Sequence, residues 1–309
     1  MERNSDLVSP KQVARAIGVS ESSLKRWCDQ GLIKTIRTAG GHRKMAIAEV
    51  LRYLRERGQS LAEPELLGLP AVSPRAIAGL SNGRPRFVEA LLAGEESVAR
   101  QIVFDLYLAK HSQSVILDEV FAAAFREIGN RWACHDVDVY QERRGCEIAL
   151  NILSDLRRVQ PVPEKRWLAI GGTIEGDQYS LPSAMAELVL RDCGFHATSL
   201  GSSIPLASLI KAVESTQPKL FWLSVSYIRE GLDFVAEFSE LSRACTAVGV
   251  ALVVGGRALT EDLRQRMTYA AFCDTMQHLE GFARTLYRSL SSEPRPRQRT
   301  KPRTPGRVP

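Results

Sequence analysis

The spacing of hydrophobic positions changes twice along the 309-residue chain, and each change predicts a different architecture. At the start, "LVSPKQVARAIGVSESSLKRWCDQGLI" places Val13, Ala14, Ala16 and Ile17 on one face of a short helix, and Leu24 and Trp27 on one face of a second. Ser9 followed by Pro10 starts the first helix, Gly18 stops it and Ser20 caps the next. The pattern is a helix-turn-helix. After it, the extended "TIRT", the Gly40-Gly41 turn and the basic group His42, Arg43, Lys44 predict a small β-wing. A third helix from Ile47 to Arg57 closes that core with Val50, Leu51 and Leu54.

Residues 59–86 contain four prolines and several glycines, which predicts a linker with at most short helical turns. From residue 87 to about 162 the helical spacing returns, as in Val120, Phe121, Phe125, Ile128 and Trp132, and predicts a small helix bundle. Residues 163–290 then alternate apolar strands ("WLAIGG", "HATSLG", "LFWLSVS", "VALVVGG", with "AAFC" as a fifth) and helical runs beginning near Ser183, Pro205, Arg229 and Thr260. Alternation of this kind predicts a parallel α/β sheet of the flavodoxin-like, Rossmann type, with ligand loops at the carboxyl ends of its strands. The expected domains are therefore 1–58, the linker 59–86, the bundle 87–162, the α/β unit 163–290 and a tail 291–309. The tail is proline- and arginine-rich, with no apolar run to bury, and disorder is expected of it.

Charge sharpens this picture. Residues 1–60 carry 12 Lys/Arg against 6 Asp/Glu, and residues 291–309 carry 6 against 1, although the whole chain is only +6. A basic head and tail on an acidic body points to a polyanion, double-stranded DNA above all. In a helix-turn-helix the second helix enters the major groove, so Ser22, Ser23, Lys25 and Arg26 are the expected readers, with Arg37, His42, Arg43 and Lys44 of the wing against the backbone. The six cysteines are scattered without a C-x-x-C pair, which predicts reduced thiols and no metal site. No apolar run reaches the roughly 18 residues of a membrane span, and a cytoplasmic protein is expected.

"SPKQVARAIGVSESSLKRWCDQGLI" followed by "RTAGGHRKM" resembles the winged-helix DNA-binding domain of MerR-type transcription regulators. Continued through a bundle and a flavodoxin-like domain, the chain resembles the cobalamin-binding branch of those regulators, the light-sensing repressors of carotenoid genes. That resemblance implies a bundle Trp with Glu-His ten residues on, covering the upper face of the cofactor, and here the matching residues are Trp132, Glu142 and Arg143. It implies a D-x-H-x-x-G or E-x-H-x-x-G motif whose histidine binds cobalt from below, and here Asp177, Tyr179 and Pro182 stand in those places. Ser202 of "LGSSIP", Ser224 and Ser226 of "SVS", and Gly255 and Gly256 of "VGG" resemble the parts that hold the nucleotide tail.

Both histidines of the pattern are replaced. Imidazole is a good transition-metal ligand, a protonated phenol is a poor one, and a guanidinium is none. Pro182 also fixes φ where glycine would let a ligand approach closely. The expected function is thus a homo-oligomeric, light-independent DNA-binding regulator that has lost cobalt ligation and takes no cofactor. The alternatives are a cobalamin or other small-ligand sensor using the retained pocket, with His135 as a substitute ligand, or an antagonist that binds a related repressor. Tyr179 and Arg143 could also pack together in the vacated space. Corrinoid enzymes share the bundle and α/β pair but need the cobalt-binding histidine, and no Ser-His-Asp set, paired carboxylates or phosphate loop is present. An enzyme is not expected.

Overall fold

The computed structural model describes residues 7–59, 61–70, 79–162 and 167–292. The head follows its capping signals. Helix α1 (Pro10–Ile17) has Ser9 as N-cap in a capping box with Gln12, and ends on Gly18 in the left-handed region at φ 77°. Helix α2 (Glu21–Asp29) is capped by Ser20, whose hydroxyl accepts the Ser23 N–H. Strand β1 (Leu7–Val8) and β2 (Ile36–Arg37) flank β3 (Arg43–Ala46) antiparallel, so the expected hairpin forms and gains a third strand. Helix α3 (Ile47–Arg57) buries Val50, Leu51, Tyr53 and Leu54 beneath it.

The segment expected as a linker is largely structured where it is described. Leu61, Leu67 and Leu69 are buried, a 3-10 turn spans Pro64–Leu67, and the Ala62 and Glu63 amides donate to the Ala16 carbonyl. Helix α4 (Leu80–Ala93) begins seven residues before the expected start and carries Pro85 within it. Scattered prolines read as a linker, but the leucines between them found the flank of α1. Residues 71–78 and the tail from 293 lie outside the described residues, and so does the disorder expected of that tail.

The bundle comprises α4, α5 (Glu96–Leu108), α6 (Gln113–Ile116) running through a π turn (Leu117–Ala122) into α7 (Ala123–Ala133), and α8 (Val139–Val159). Its core includes Phe87, whose ring lies tilted 54° against that of Phe121 with centroids 4.9 Å apart. The α/β unit holds strands β4 (Leu168–Thr173), β5 (His196–Ser199), β6 (Leu220–Ser224), β7 (Ala251–Gly255) and β8 (Ala271–Phe272). They pair in the parallel order β5-β4-β6-β7-β8, the flavodoxin-like arrangement in which the order reverses between β4 and β6. Its helices are α9 (Ser180–Asp192), α10 (Leu206–Thr216), α11 (Phe234–Ala247), α12 (Glu261–Gln265) and α13 (Met276–Ser292).

Two starts differ from the sequence expectation: α9 begins at Ser180 rather than near Ser183, and α11 at Phe234 rather than near Arg229. Helix α13 was not anticipated. Along β6, Leu220 and Trp222 join the core shared with the bundle, while Phe221 and Leu223 join a second core with α10 and α11 residues. This two-residue alternation is what a sheet covered on both faces requires. Asp118, on the π turn, accepts the Met276 and Gln277 amides at 2.7 and 3.0 Å, so a bundle carboxylate caps the first turn of α13.

Candidate functional site

On the head, the exposed face of α2 presents Ser22, Lys25 and Arg26, while Leu24 is buried on the opposite face. Ser23 is half-buried, and its hydroxyl and that of Ser22 both bond to Ser20 at 3.0 and 2.9 Å, so the two serines shape the helix start. Arg37 and His42 are exposed on the hairpin and Lys44 is half-buried beside them. Arg43 differs from its neighbours. Its guanidinium pairs with Asp29 at 2.9 Å, tying the hairpin to the end of α2. Sequence reasoning grouped it with the backbone-contacting cations, and a partner 14 residues away in the chain was not legible there.

The second cluster lies at the carboxyl edge of the sheet, where β4 and β6 diverge. Asp177 is completely buried and fully engaged. Its Oδ2 accepts the Ser226 and Tyr227 amides at 2.6 and 3.2 Å, and its Oδ1 accepts the Tyr179 amide at 3.0 Å. The Thr173 hydroxyl donates to its carbonyl at 2.6 Å. This carboxylate clamps the loops after β4 and β6 together rather than facing a ligand, a correction to its expected place in the pocket lining.

Tyr179 is half-buried and holds the position just before α9. The Arg257 guanidinium sits 5.0 Å from its ring centroid and also donates to the Ser226 carbonyl at 3.3 Å. Tyr179 therefore finds Arg257 as its partner, not Arg143, whose guanidinium lies 3.5 Å from Glu142 on the bundle. Pro182 falls inside the first turn of α9, where its missing N–H is one of the amides that have no intrahelical partner in any case. With the helix starting at Ser180 rather than near Ser183, the fixed φ of Pro182 is the φ the helix itself requires.

Gly255 and Gly256 answer to backbone packing. A Cβ on Gly255 would lie 2.4 Å from the Cys273 carbonyl oxygen, and one on Gly256, at φ 119°, would lie 2.2 Å from that of Val225. Ser224 is buried at the end of β6, and Ser202 and Ser226 are half-buried in the edge loops. Below the edge, Trp222 lies between the sheet and α9, 3% exposed, with its indole N–H donating to Ser183 Oγ at 2.9 Å. Nothing in the sequence singled out Arg257 or Trp222, although an arginine directly after a Gly-Gly strand end was a usable signal.

On the bundle, Trp132 at the end of α7 is 52% exposed, and Val139 and Tyr140 at the start of α8 are exposed as well. His135 is exposed, in the left-handed region at φ 62°, on the loop between α7 and α8. Among the described residues no three His, Cys, Asp or Glu side chains converge as a metal site, and no helix is long and apolar enough to cross a membrane. The cysteines are free thiols. Burial pushes Cys146, Cys193 and Cys245 up to about 12 and Cys273 up to about 11, which keeps them protonated and poorly nucleophilic.

Comparison with known proteins agrees with this layout. The chain matches the helix-turn-helix domain family over residues 7–58 and the B12 binding domain family over residues 84–156. It is 26% identical over 264 residues to the HTH-type transcriptional repressor CarH of Myxococcus xanthus, covering 79% of this chain and 87% of that protein. It is 23% identical over 182 residues to the trimethylamine corrinoid protein of Methanosarcina barkeri, covering 56% of this chain and 82% of that one. Among solved structures, the monomethylamine corrinoid protein of Methanosarcina barkeri superposes with a TM-score of 0.56 at 14% identity, over 67% of this chain and 100% of that one. That likeness shows the fold of the bundle and the flavodoxin-like sheet, and the family matches place a helix-turn-helix domain ahead of it.

Proposed function

We propose that this protein is a DNA-binding transcription regulator whose sensory half keeps the architecture of a cobalamin-binding module without the protein ligand for cobalt. Lys25 and Arg26 reach base edges and phosphates from α2 in the major groove, and Arg37, His42 and Lys44 hold the hairpin, as a MerR-type wing, against the backbone. One such head reads few base pairs, so two or more copies bind repeated half-sites. The helix-turn-helix match and the similarity to a repressor support this half of the reading.

The observation that carries the other half is the Tyr179 ring stacked by Arg257 where an imidazole would be needed. The residues present do not fit a cobalt ligand set. Tyr179 offers a phenol beside a fixed positive charge, and Asp177 has both carboxylate oxygens committed to backbone amides. None of the five histidines lies in the edge loops: His196 starts β5 at the opposite end of the sheet, and His135 is on the bundle. Control by light through a cobalt–carbon bond is therefore absent from this reading.

The test is an absorption spectrum of the purified protein after dark incubation with adenosylcobalamin or hydroxocobalamin and desalting, alongside a shift assay on its promoter DNA in dark and light. A colourless protein that shifts DNA equally in both supports the proposal, and a light-dependent shift overturns it. Retained corrinoid bands would favour a second reading, a corrinoid held without a protein ligand below the metal, which the B12 binding domain match over the bundle supports.

A further inference from the structure

Besides apolar packing shared with the bundle, one arginine ties the head to it. Arg55, in the last turn of α3, donates from Nη1 to the Tyr107 carbonyl and from Nη2 to the His111 carbonyl at 3.1 Å. Its guanidinium carbon also lies 4.1 Å from the centroid of the Tyr107 ring. The Tyr107 carbonyl lies in the last turn of α5, where the helix dipole is negative, and also accepts the Lys110 N–H at 3.2 Å; the His111 carbonyl lies just beyond, in the loop leading to α6. A cation from another domain thus completes that helix end. Arg57, two residues on, instead lies over Tyr53 within the head.

The same ring continues inward. Tyr107 is 4% exposed, and its hydroxyl faces the Gln113 side chain. Gln113 Oε1 accepts Gln160 Nε2 at 2.6 Å, and that nitrogen also donates to the Leu188 carbonyl of α9 at 2.9 Å. A parallel branch runs through Ser114, which donates to Glu280 of α13, and through Arg284, which pairs with both Glu280 and Asp192 at the end of α9. Helix α9 therefore has its first residue at the Tyr179 edge of the sheet and its far half in the junction that holds Arg55. Gln113 and Gln160 are almost fully buried, so a displacement of α9 must break a hydrogen bond that water cannot replace.

We propose that Arg55 is a positioning residue that fixes the orientation of the DNA-reading head on the bundle, and that α9, through Gln160, Gln113 and Tyr107, couples this latch to the edge of the sheet. An occupant that displaces Tyr179 and the start of α9 shifts the head through this chain of contacts. The proposal rests on the head being the DNA reader, but its primary readout does not require DNA.

Amide hydrogen exchange is measured on the full-length wild type and on Arg55→Ala, Arg55→Lys, Arg57→Ala and Gln160→Leu, with binding to a duplex carrying a single half-site measured in parallel. Arg55→Ala and Arg55→Lys are expected to raise exchange about tenfold or more at the facing ends of α3 and α5, the scale of one lost charge-assisted bond. Single-site affinity stays within about twofold, since α2 and the hairpin are untouched. Gln160→Leu raises exchange at the end of α3 although it does not touch the head, and Arg57→Ala does neither. Unchanged exchange in both Arg55 variants overturns the latch, and an unchanged α3 end in Gln160→Leu overturns the coupling. A loss of single-site binding together with exchange throughout the head would make Arg55 part of the head's own fold, which also overturns the proposal. A wild type that binds no duplex refutes the proposed function, while exchange still judges the latch.

Discussion

Replacing Asp177 separates a loop clamp from a ligand contact. The buried carboxylate accepts three backbone amides, from Tyr179, Ser226 and Tyr227, at 3.0, 2.6 and 3.2 Å. Asp177→Ala strands all three, and a buried amide left without an acceptor costs about 1–3 kcal/mol. Tyr179 and Tyr227 are partly open to water, which can recover some of that loss, so the expected cost is about 3–5 kcal/mol in total. Asp177→Asn keeps one acceptor but turns an amide donor toward a donor, and roughly half that cost is expected. At about 2–4 °C per kcal/mol for a unit of this size, the Ala variant should melt roughly 10 °C lower and the Asn variant about 5 °C lower. Differential scanning calorimetry of the full-length protein measures both, together with DNA binding below the transition, which should survive because the head is remote. An Asp177→Ala protein melting within about 2 °C of wild type would refute the clamp and return Asp177 to the ligand side of the pocket.

Four cations on the proposed reading face, Lys25, Arg26, Arg37 and Lys44, predict a logarithmic salt slope of DNA affinity near −3.6 per head. Arg26→Ala should flatten it by about one unit, whereas Arg43→Ala should act through a loosened hairpin with little change of slope; equal slopes for wild type and Arg26→Ala would count against α2 as the reader. Trp222→Ala empties the space between β6 and α9 and should destabilise by about 3–5 kcal/mol in urea unfolding, while Ser183→Ala, which removes the indole's acceptor and a weaker contact with Ser199 Oγ, should lose about 1 kcal/mol. Burial pushes the Asp105 carboxyl up, against its bond from Gln101 and the charge of Arg86, and one carboxylate oxygen has no partner. A raised folded-state value means that the fold holds its proton more tightly, so this group favours folding below the ordinary carboxylate range and loses that contribution as pH rises through the raised value. Asp105→Asn should therefore raise the melting temperature at pH 7 and flatten that limb of the stability profile; a lower melting temperature would show that the charged form is the one the bundle needs.

The sequence by itself determined the elements whose signals are local. Ser9, Pro10, Gly18 and Ser20 place α1 and α2 because a cap acts on amides two or three residues away. The alternation around "LFWLSVS" and "VALVVGG" makes a sheet covered on both faces, because only that arrangement buries both sets of side chains. The absence of an imidazole from the loop after β4 is also a property of the sequence alone.

Tertiary structure decided what depended on partners distant in the chain. Leu61, Leu67 and Leu69 turned an expected linker into part of the head because α1 offered an apolar flank. Asp177 changed from pocket lining to clamp because the loop after β6 brought two amides to it. Arg43 gained Asp29, Tyr179 gained Arg257 and Arg55 gained the end of α5, each across a separation that no spacing rule reaches. A charged or polar side chain shows its type in the sequence, but which buried or helix-end group it satisfies is fixed only when the chain has closed around it.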